Sequence, residues 1–284
     1  MTIHTALLED RGVLQVSGED AVSFLQGLVT NDVEGCAVGE ARYAALLSPQ
    51  GKILFDFLVL RIPAEAGAAF LIDCPIAQAG DLAKRLGFYR LRAKVTIAGA
   101  SARYAVFARW TQEGSSGELA VPPTPKDGFL YVDPRDPRLG SRLIGHRDQV
   151  VANSESAAYE AHRIKLGVPR GGVDFTYADN FPHDANLDLL HGVDFKKGCY
   201  VGQEVVSRMH HRSEPRKRIV RLALAGEGPQ QGMPVLAGET TVGTLGSTAG
   251  SAALALLRLD RVEDARGAGK PLSVGGVAAE VAGY

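Results

Sequence analysis

Lys197-Gly198-Cys199-Tyr200-Val201-Gly202-Gln203-Glu204 is where this sequence concentrates residue types that do chemistry. A thiol bracketed by glycines precedes Val205-Val206-Ser207-Arg208-Met209, a run whose apolar residues fall on one side of a helix. Free backbone N–H groups and the dipole at such a helix start favour thiolate, and Lys196 and Lys197 act in the same sense. Thiolate is the form that attacks electrophiles and binds metals. Cys199 is therefore either a working cysteine or a small buried residue filling a tight turn. Cys36, in a Gly-flanked turn, and Cys74, ending an apolar strand before Pro75, have no ligand-like neighbours and read as core. His210 and His211 leave a helix in different directions, which suits no bidentate metal site, so no metal is assigned.

Charge gathers around the same stretch. From Lys196 to Arg221 eight basic residues stand against Glu204 and Glu214, a surplus of eight minus two, or +6, in a chain of net charge −1. One reading is a multiply carboxylated or phosphorylated ligand, which arginine pairs bidentately; the other is a solvated linker face. Nucleic acid is disfavoured, because the run lacks interleaved aromatics apart from Tyr200 and matches no DNA- or RNA-binding motif. A third candidate is Asp56 in Ile53-Leu54-Phe55-Asp56-Phe57. An acid inside a β-prone apolar run is costly, so it is either paired internally or faces a cleft.

These residues need a scaffold, and its elements are legible in the patterning. Val13 to Val16 reads as a strand, and Ser17-Gly18-Glu19-Asp20 starts a helix with Ala21, Val22, Leu25 and Leu28 at helical spacing. Residues 41–47 and 53–60, joined by Ser48-Pro49-Gln50-Gly51, predict a hairpin covered on both faces. Residues 70–72 predict a strand, 78–86 a short helix, and 94–97 and 104–108 further strands. Gly, Ser, Pro and Asp concentrate between 114 and 138, as in a loop, with Phe129 to Val132 as its apolar anchor. Ser154 or Ser156 caps a helix through Leu166, ended by Gly167 with Pro169 beyond it. From 218 to 281, short Val/Leu/Ala segments between glycines predict a small all-β barrel. The order of elements is α+β rather than doubly wound.

Composition sets the outer bounds. A chain of 284 residues, 45% hydrophobic and 22% charged, can build two globular domains and is not disordered. Three scattered cysteines make no disulfide framework and no C-x-x-C site, which predicts reduced thiols and a cytoplasmic location. Met1-Thr2-Ile3-His4 opens no signal peptide, and no run approaches the roughly 20 apolar residues that cross a bilayer, so no membrane partner is expected.

The octet from Lys197 to Glu204 resembles the signature of the YgfZ-type folate-binding proteins, relatives of the glycine-cleavage T-protein, an aminomethyltransferase. Supporting matches run in order: Phe24-Leu25-Gln26-Gly27 with Thr30-Asn31-Asp32, Ser48-Pro49-Gln50-Gly51-Lys52 leading to Asp56, and His162-Arg163-Ile164 with Gly167-Val168-Pro169. The resemblance covers essentially the whole chain. It implies an α+β, GcvT-like fold of two interwoven subdomains around a central folate channel over residues 1–215, with a C-terminal β-barrel over 216–284. It also implies a tetrahydrofolate site and work with iron–sulfur client or assembly proteins, as an accessory protein rather than an enzyme. The family's essential cysteine falls on Cys199 and its companion lysine on Lys197. Asp56 is then expected near the pteridine, Arg208 or Arg212 near the acidic tail, and Tyr200, Gln203 and Glu204 in the same folate site. Two departures stand out. T-proteins show adjacent acids where this chain has Phe55-Asp56, and a pterin-recognising Glu where it has Lys165. A cation cannot accept the pterin's N–H donors, which weakens the alternative reading, a tetrahydrofolate-dependent aminomethyltransferase.

Overall fold

Strands form where apolar and β-branched residues run together, beginning with β1 (His4–Leu7) and β2 (Arg11–Gly18). The expected helix start delivers α1 (Ala21–Gln26), and the expected hairpin is β3 (Ala41–Leu47) and β4 (Ile53–Ile62), both buried along most of their length. β5 (Ala68–Pro75) leads directly into α2 (Ile76–Arg90). This helix exceeds the predicted span at both ends, since Pro75 is tolerated just ahead of a first turn and Lys and Arg are good helix formers. β6 (Thr96–Gly99), β7 (Ala105–Trp110), β8 (Phe129–Val132) and β9 (Ser141–Gly145) follow. The computed structural model describes residues 2–111, 128–212 and 215–283, so most of the loop predicted between 114 and 138 lies outside the described residues.

Two units divide the chain, and neither is continuous in sequence. The first comprises Met1–Leu47, Leu54–Tyr159 and Leu190–Val201. It contains a five-stranded sheet of order β3-β4-β5-β2-β6 and a four-stranded sheet of order β1-β7-β9-β8. Phe57, Phe70 and Ile72 pack with Phe24 and Leu25 of α1 and with Leu82 and Leu86 of α2. Full burial of each such side chain contributes roughly 1.5–3 kcal/mol.

The second unit comprises Ser48–Ile53, Glu160–Leu189 and Gly202–Tyr284. Most of α3 (Ser156–Leu166) belongs to it, and Gly167 ends that helix at φ +80, a conformation glycine adopts without steric cost. After α4 (Gln203–Arg212) come β10 (Lys217–Leu224), β11 (Pro234–Ala237), β12 (Thr240–Ala249) and β13 (Ala252–Arg258), then β14 (Leu272–Val274) and β15 (Val277–Gly283). They close into the predicted barrel in the order β10-β13-β12-β11-β14-β15, which leaves no open edge. Val220, Leu222, Leu245, Leu257 and Val274 fill it. At Gly243 a side chain would stand 2.3 Å from the Leu256 carbonyl oxygen, so only glycine fits there. One helix was not predicted, α5 (Leu259–Gly267), a polar segment that buries only Ala265 and so carries little periodic signal.

Candidate functional site

The segment presenting Cys199 is anchored to the turn that follows α1. Thr30 accepts from the Ala45 N–H at 2.9 Å and donates through Oγ1 to the Gly192 carbonyl at 2.6 Å. Asn31 donates through Nδ2 to the carbonyls of Tyr43 and His191. The Asp194 N–H donates to the Thr30 carbonyl, and Asp194 Oδ1 accepts from the N–H groups of Lys196 and Lys197. Lys197 completes the anchor. Its Nζ donates to the carbonyls of Gln26, Val29 and Asn31 at 2.8, 2.7 and 2.8 Å, one for each ammonium proton. Gln26 is the last residue of α1, so the ammonium also sits at the negative end of a helix. Burial lowers the Lys197 ammonium to about 8, with Asp32 and Asp194 opposing.

Two residues beyond this clamp, Cys199 is exposed, whereas Cys36 and Cys74 are each 1% exposed. The Cys36 thiol donates to the Glu40 carbonyl and that of Cys74 to the Gly12 carbonyl. Burial pushes both thiols up, Cys74 to about 12. Both are the core residues the sequence predicted. The tight-turn alternative for Cys199 does not describe an exposed thiol. Lys197 does not donate to the thiol, because its three protons already meet carbonyls. The neighbouring Tyr200 is buried, its phenol pushed up to about 12, and its ring centroid lies 5.3 Å from Lys197 Nζ.

Asp56 resolves as internally paired: it is buried and accepts from the Tyr43 hydroxyl at 3.0 Å. In the same unit lies a charged layer that sequence reasoning missed. Asp73 accepts from Arg11 Nε at 2.6 Å and Arg142 Nη1 at 2.9 Å; Asp133 accepts from Arg135 Nη2 at 2.7 Å and Arg142 Nε at 3.1 Å. Arg142 thereby joins β9 of one sheet to β5 of the other. Burial alone would raise the Asp133 carboxyl, but Arg135 and then Arg142 outweigh it and hold it well below the usual carboxylate range. A signal existed in the sequence, since Asp73 follows Phe70-Leu71-Ile72 much as Asp56 interrupts its own apolar run.

The remaining predicted site residues belong to the second unit. Lys165 is exposed near the end of α3, and its carbonyl accepts from Arg221. Arg163, matched to the His162-Arg163-Ile164 motif, is 2% exposed; it donates to Glu160, Asp174 and Ser247, which ties α3 to β12. On α4, Gln203 is half-buried, Glu204 and Arg208 are exposed, and Arg212 occupies the last helical position. Glu204 lies in the first turn, where a negative charge suits the helix dipole. Arg218 pairs with both carboxylate oxygens of Asp188 at 2.9 Å.

Residues 9–108 match the family described as the GCVT N-terminal domain, and residues 216–283 match the CAF17 C-terminal beta-barrel domain. A Mycosarcoma maydis protein named iron-sulfur cluster assembly factor IBA57 homolog, mitochondrial, is 37% identical over 241 residues, covering 79% of this chain and 58% of that protein. The chain thus spans less than two thirds of that relative. The mouse protein named iron-sulfur cluster assembly factor IBA57, mitochondrial, is 33% identical, and the human one 31%; each match covers 90% of this chain and 78% of the relative. The crystal structure of the glycine cleavage system aminomethyltransferase T from Bartonella henselae aligns with a TM-score of 0.75 over 98% of this chain and 84% of that one, at 16% identity. That likeness is one of fold, and it bears out the GcvT-like architecture with its barrel. The relatives narrow the YgfZ resemblance to the IBA57 branch of the same architecture. Their mitochondrial names overturn the cytoplasmic location expected from the cysteines. Scattered cysteines without a disulfide framework do not distinguish one reducing compartment from another.

Proposed function

The chain belongs to the IBA57 family of iron–sulfur cluster assembly factors, and from that premise we propose that it acts in cluster assembly with Cys199 as its working thiol. The observation that carries this reading is that Cys199 is exposed on an anchored segment while Cys36 and Cys74 are buried and donate to carbonyls. An iron–sulfur cluster is held by about four thiolates. One reachable thiol supplies one ligand, so the cluster is cargo, shared with a client or assembly protein that brings the others. In a host lacking its own homologue, Cys199→Ser is expected to abolish rescue of iron–sulfur enzyme activity at unchanged protein level. Full rescue by that variant would refute the assignment.

A reduced folate such as tetrahydrofolate is the ligand we propose for the same protein. The reading is supported by the GcvT-like fold and by the exposed guanidinium of Arg208, which suits an acidic tail. Lys165 cannot replace a pterin-accepting carboxylate, and Phe55 stands where T-proteins have a second acid. The chain's own residues therefore favour folate binding without aminomethyl transfer. Calorimetry with reduced folates should show binding that weakens with salt and survives Cys199→Ser. No heat and no thermal shift at saturation would remove folate from the account, and formation of methylenetetrahydrofolate from an aminomethylated carrier would restore the transferase reading.

A further inference from the structure

Residues 82–103 contain Lys84, Arg85, Arg90, Arg92, Lys94 and Arg103 and no acid. Lys94 pairs with Glu19 at 2.7 Å, and Arg103 lies over the Tyr104 ring. Lys84, Arg85, Arg90 and Arg92 form no ion pair or side-chain hydrogen bond among the described residues. They surround an apolar pair at the end of α2: Phe88 is 69% exposed and Leu91 is 88% exposed. Phe88 is the one exposed phenylalanine of the ten in the chain. Helical spacing places Lys84 and Arg85 on the same face as Phe88, while Leu86 and Tyr89 turn into the core. Leu91 follows the helix at φ +43 and ψ −108, a positive-φ conformation that glycine adopts at far less cost than a residue with a side chain. Nothing buried by the Leu91 side chain offsets that cost within the unit. Backbone strain kept at an exposed apolar residue is a mark of a surface shaped for something else.

We propose that the C-terminal end of α2 is a docking surface for an acidic segment of a partner protein, with Phe88 and Leu91 as apolar anchors and Lys84, Arg85 and Arg92 meeting carboxylates. Charge complementarity selects the occupant, because an acid-free run of cations in a near-neutral chain attracts an acidic surface and repels a basic one. Two exposed apolar side chains at one helix end fill a recess in a protein. An interfacial membrane helix needs an apolar stripe along its length, and the outer face of α2 instead carries Gly80, Asp81, Lys84 and Gly87. Single-stranded nucleic acid needs successive stacking rings, and Tyr89 is packed against the core.

The test titrates the full chain with a labelled amphipathic peptide carrying glutamates beside a leucine face, with the same peptide bearing lysines for the glutamates, with an oligonucleotide, and with cardiolipin-containing vesicles. The acidic peptide is expected to bind and the basic one not to. Phe88→Ser and Leu91→Gly should each weaken binding about ten-fold, and Arg85→Glu with Arg92→Glu should abolish it. Thermal stability should hold throughout, and should rise in Leu91→Gly as the strain is relieved. Equal binding of both peptides, indifference to these substitutions, or binding of the oligonucleotide or vesicles in place of the acidic peptide would overturn the proposal. None of these readouts involves Cys199.

Discussion

In residues 196–221, Lys197 is engaged by three carbonyls, Arg218 by Asp188, and Arg221 by the carbonyls of Lys165 and Ala282. Lys196, Arg208, Arg216 and Lys217 of that segment have no such partner among the described residues, and in residues 82–103 the same holds for Lys84, Arg85, Arg90 and Arg92. Counted along the chain, the two segments look alike. Within both, the elements decide which cations are engaged: a packed loop and an inward-facing strand position direct Lys197 and Arg218 at backbone oxygens and an acid, whereas exposed positions such as Arg208 on α4 and Arg85 on α2 leave the charge in solvent. Available charge therefore follows from the element and its face, and a surplus along the sequence is only an upper bound on it.

The comparison breaks most severely where an engaged cation is removed from a fully buried setting. Arg142→Met leaves Asp73 and Asp133 buried with fewer partners and is expected to cost about 3–5 kcal/mol in denaturant unfolding. Lys197→Met orphans three carbonyls and should cost about 2–3 kcal/mol, with faster amide exchange in the turn after α1. A third experiment sharpens the contrast by pH. Asp133 is held below its ordinary value, so its contribution is fully present above the unfolded carboxyl value of about 4 and is lost as pH falls through the folded one. Asp133→Asn should flatten the acid limb of the stability curve relative to wild type. At the small end, Arg85→Glu with Arg92→Glu should shift stability by no more than about 0.5 kcal/mol, as befits unpartnered surface cations.

Much of the scaffold was legible because its signals are local. The hairpin, the end of α3 at Gly167 and the barrel all follow from periodicity and turn residues. Cys199 stood out through its bracketing glycines and the helix after it. The role of Lys197 was not legible, since its partners lie more than 160 residues away in the chain and are backbone carbonyls, which no side-chain pattern reveals. Sequence separations of 62 and 69 residues hid the pairing of Asp73 with Arg11 and Arg142, charges on apolar strands whose partners no local pattern reveals. The basic end of α2 was equally legible as an acid-free run of cations, and only the helix face distinguishes its exposed charges from its engaged ones.

The clamp and the burial of the other thiols together claim that the chain offers one cysteine to a reaction partner. Residue-resolved alkylation of the native protein measures this directly. Cys199 should be labelled first, with Cys36 and Cys74 protected until the protein unfolds, and Lys197→Arg should leave that order unchanged; labelling of Cys36 or Cys74 as fast as Cys199 under native conditions would contradict the account.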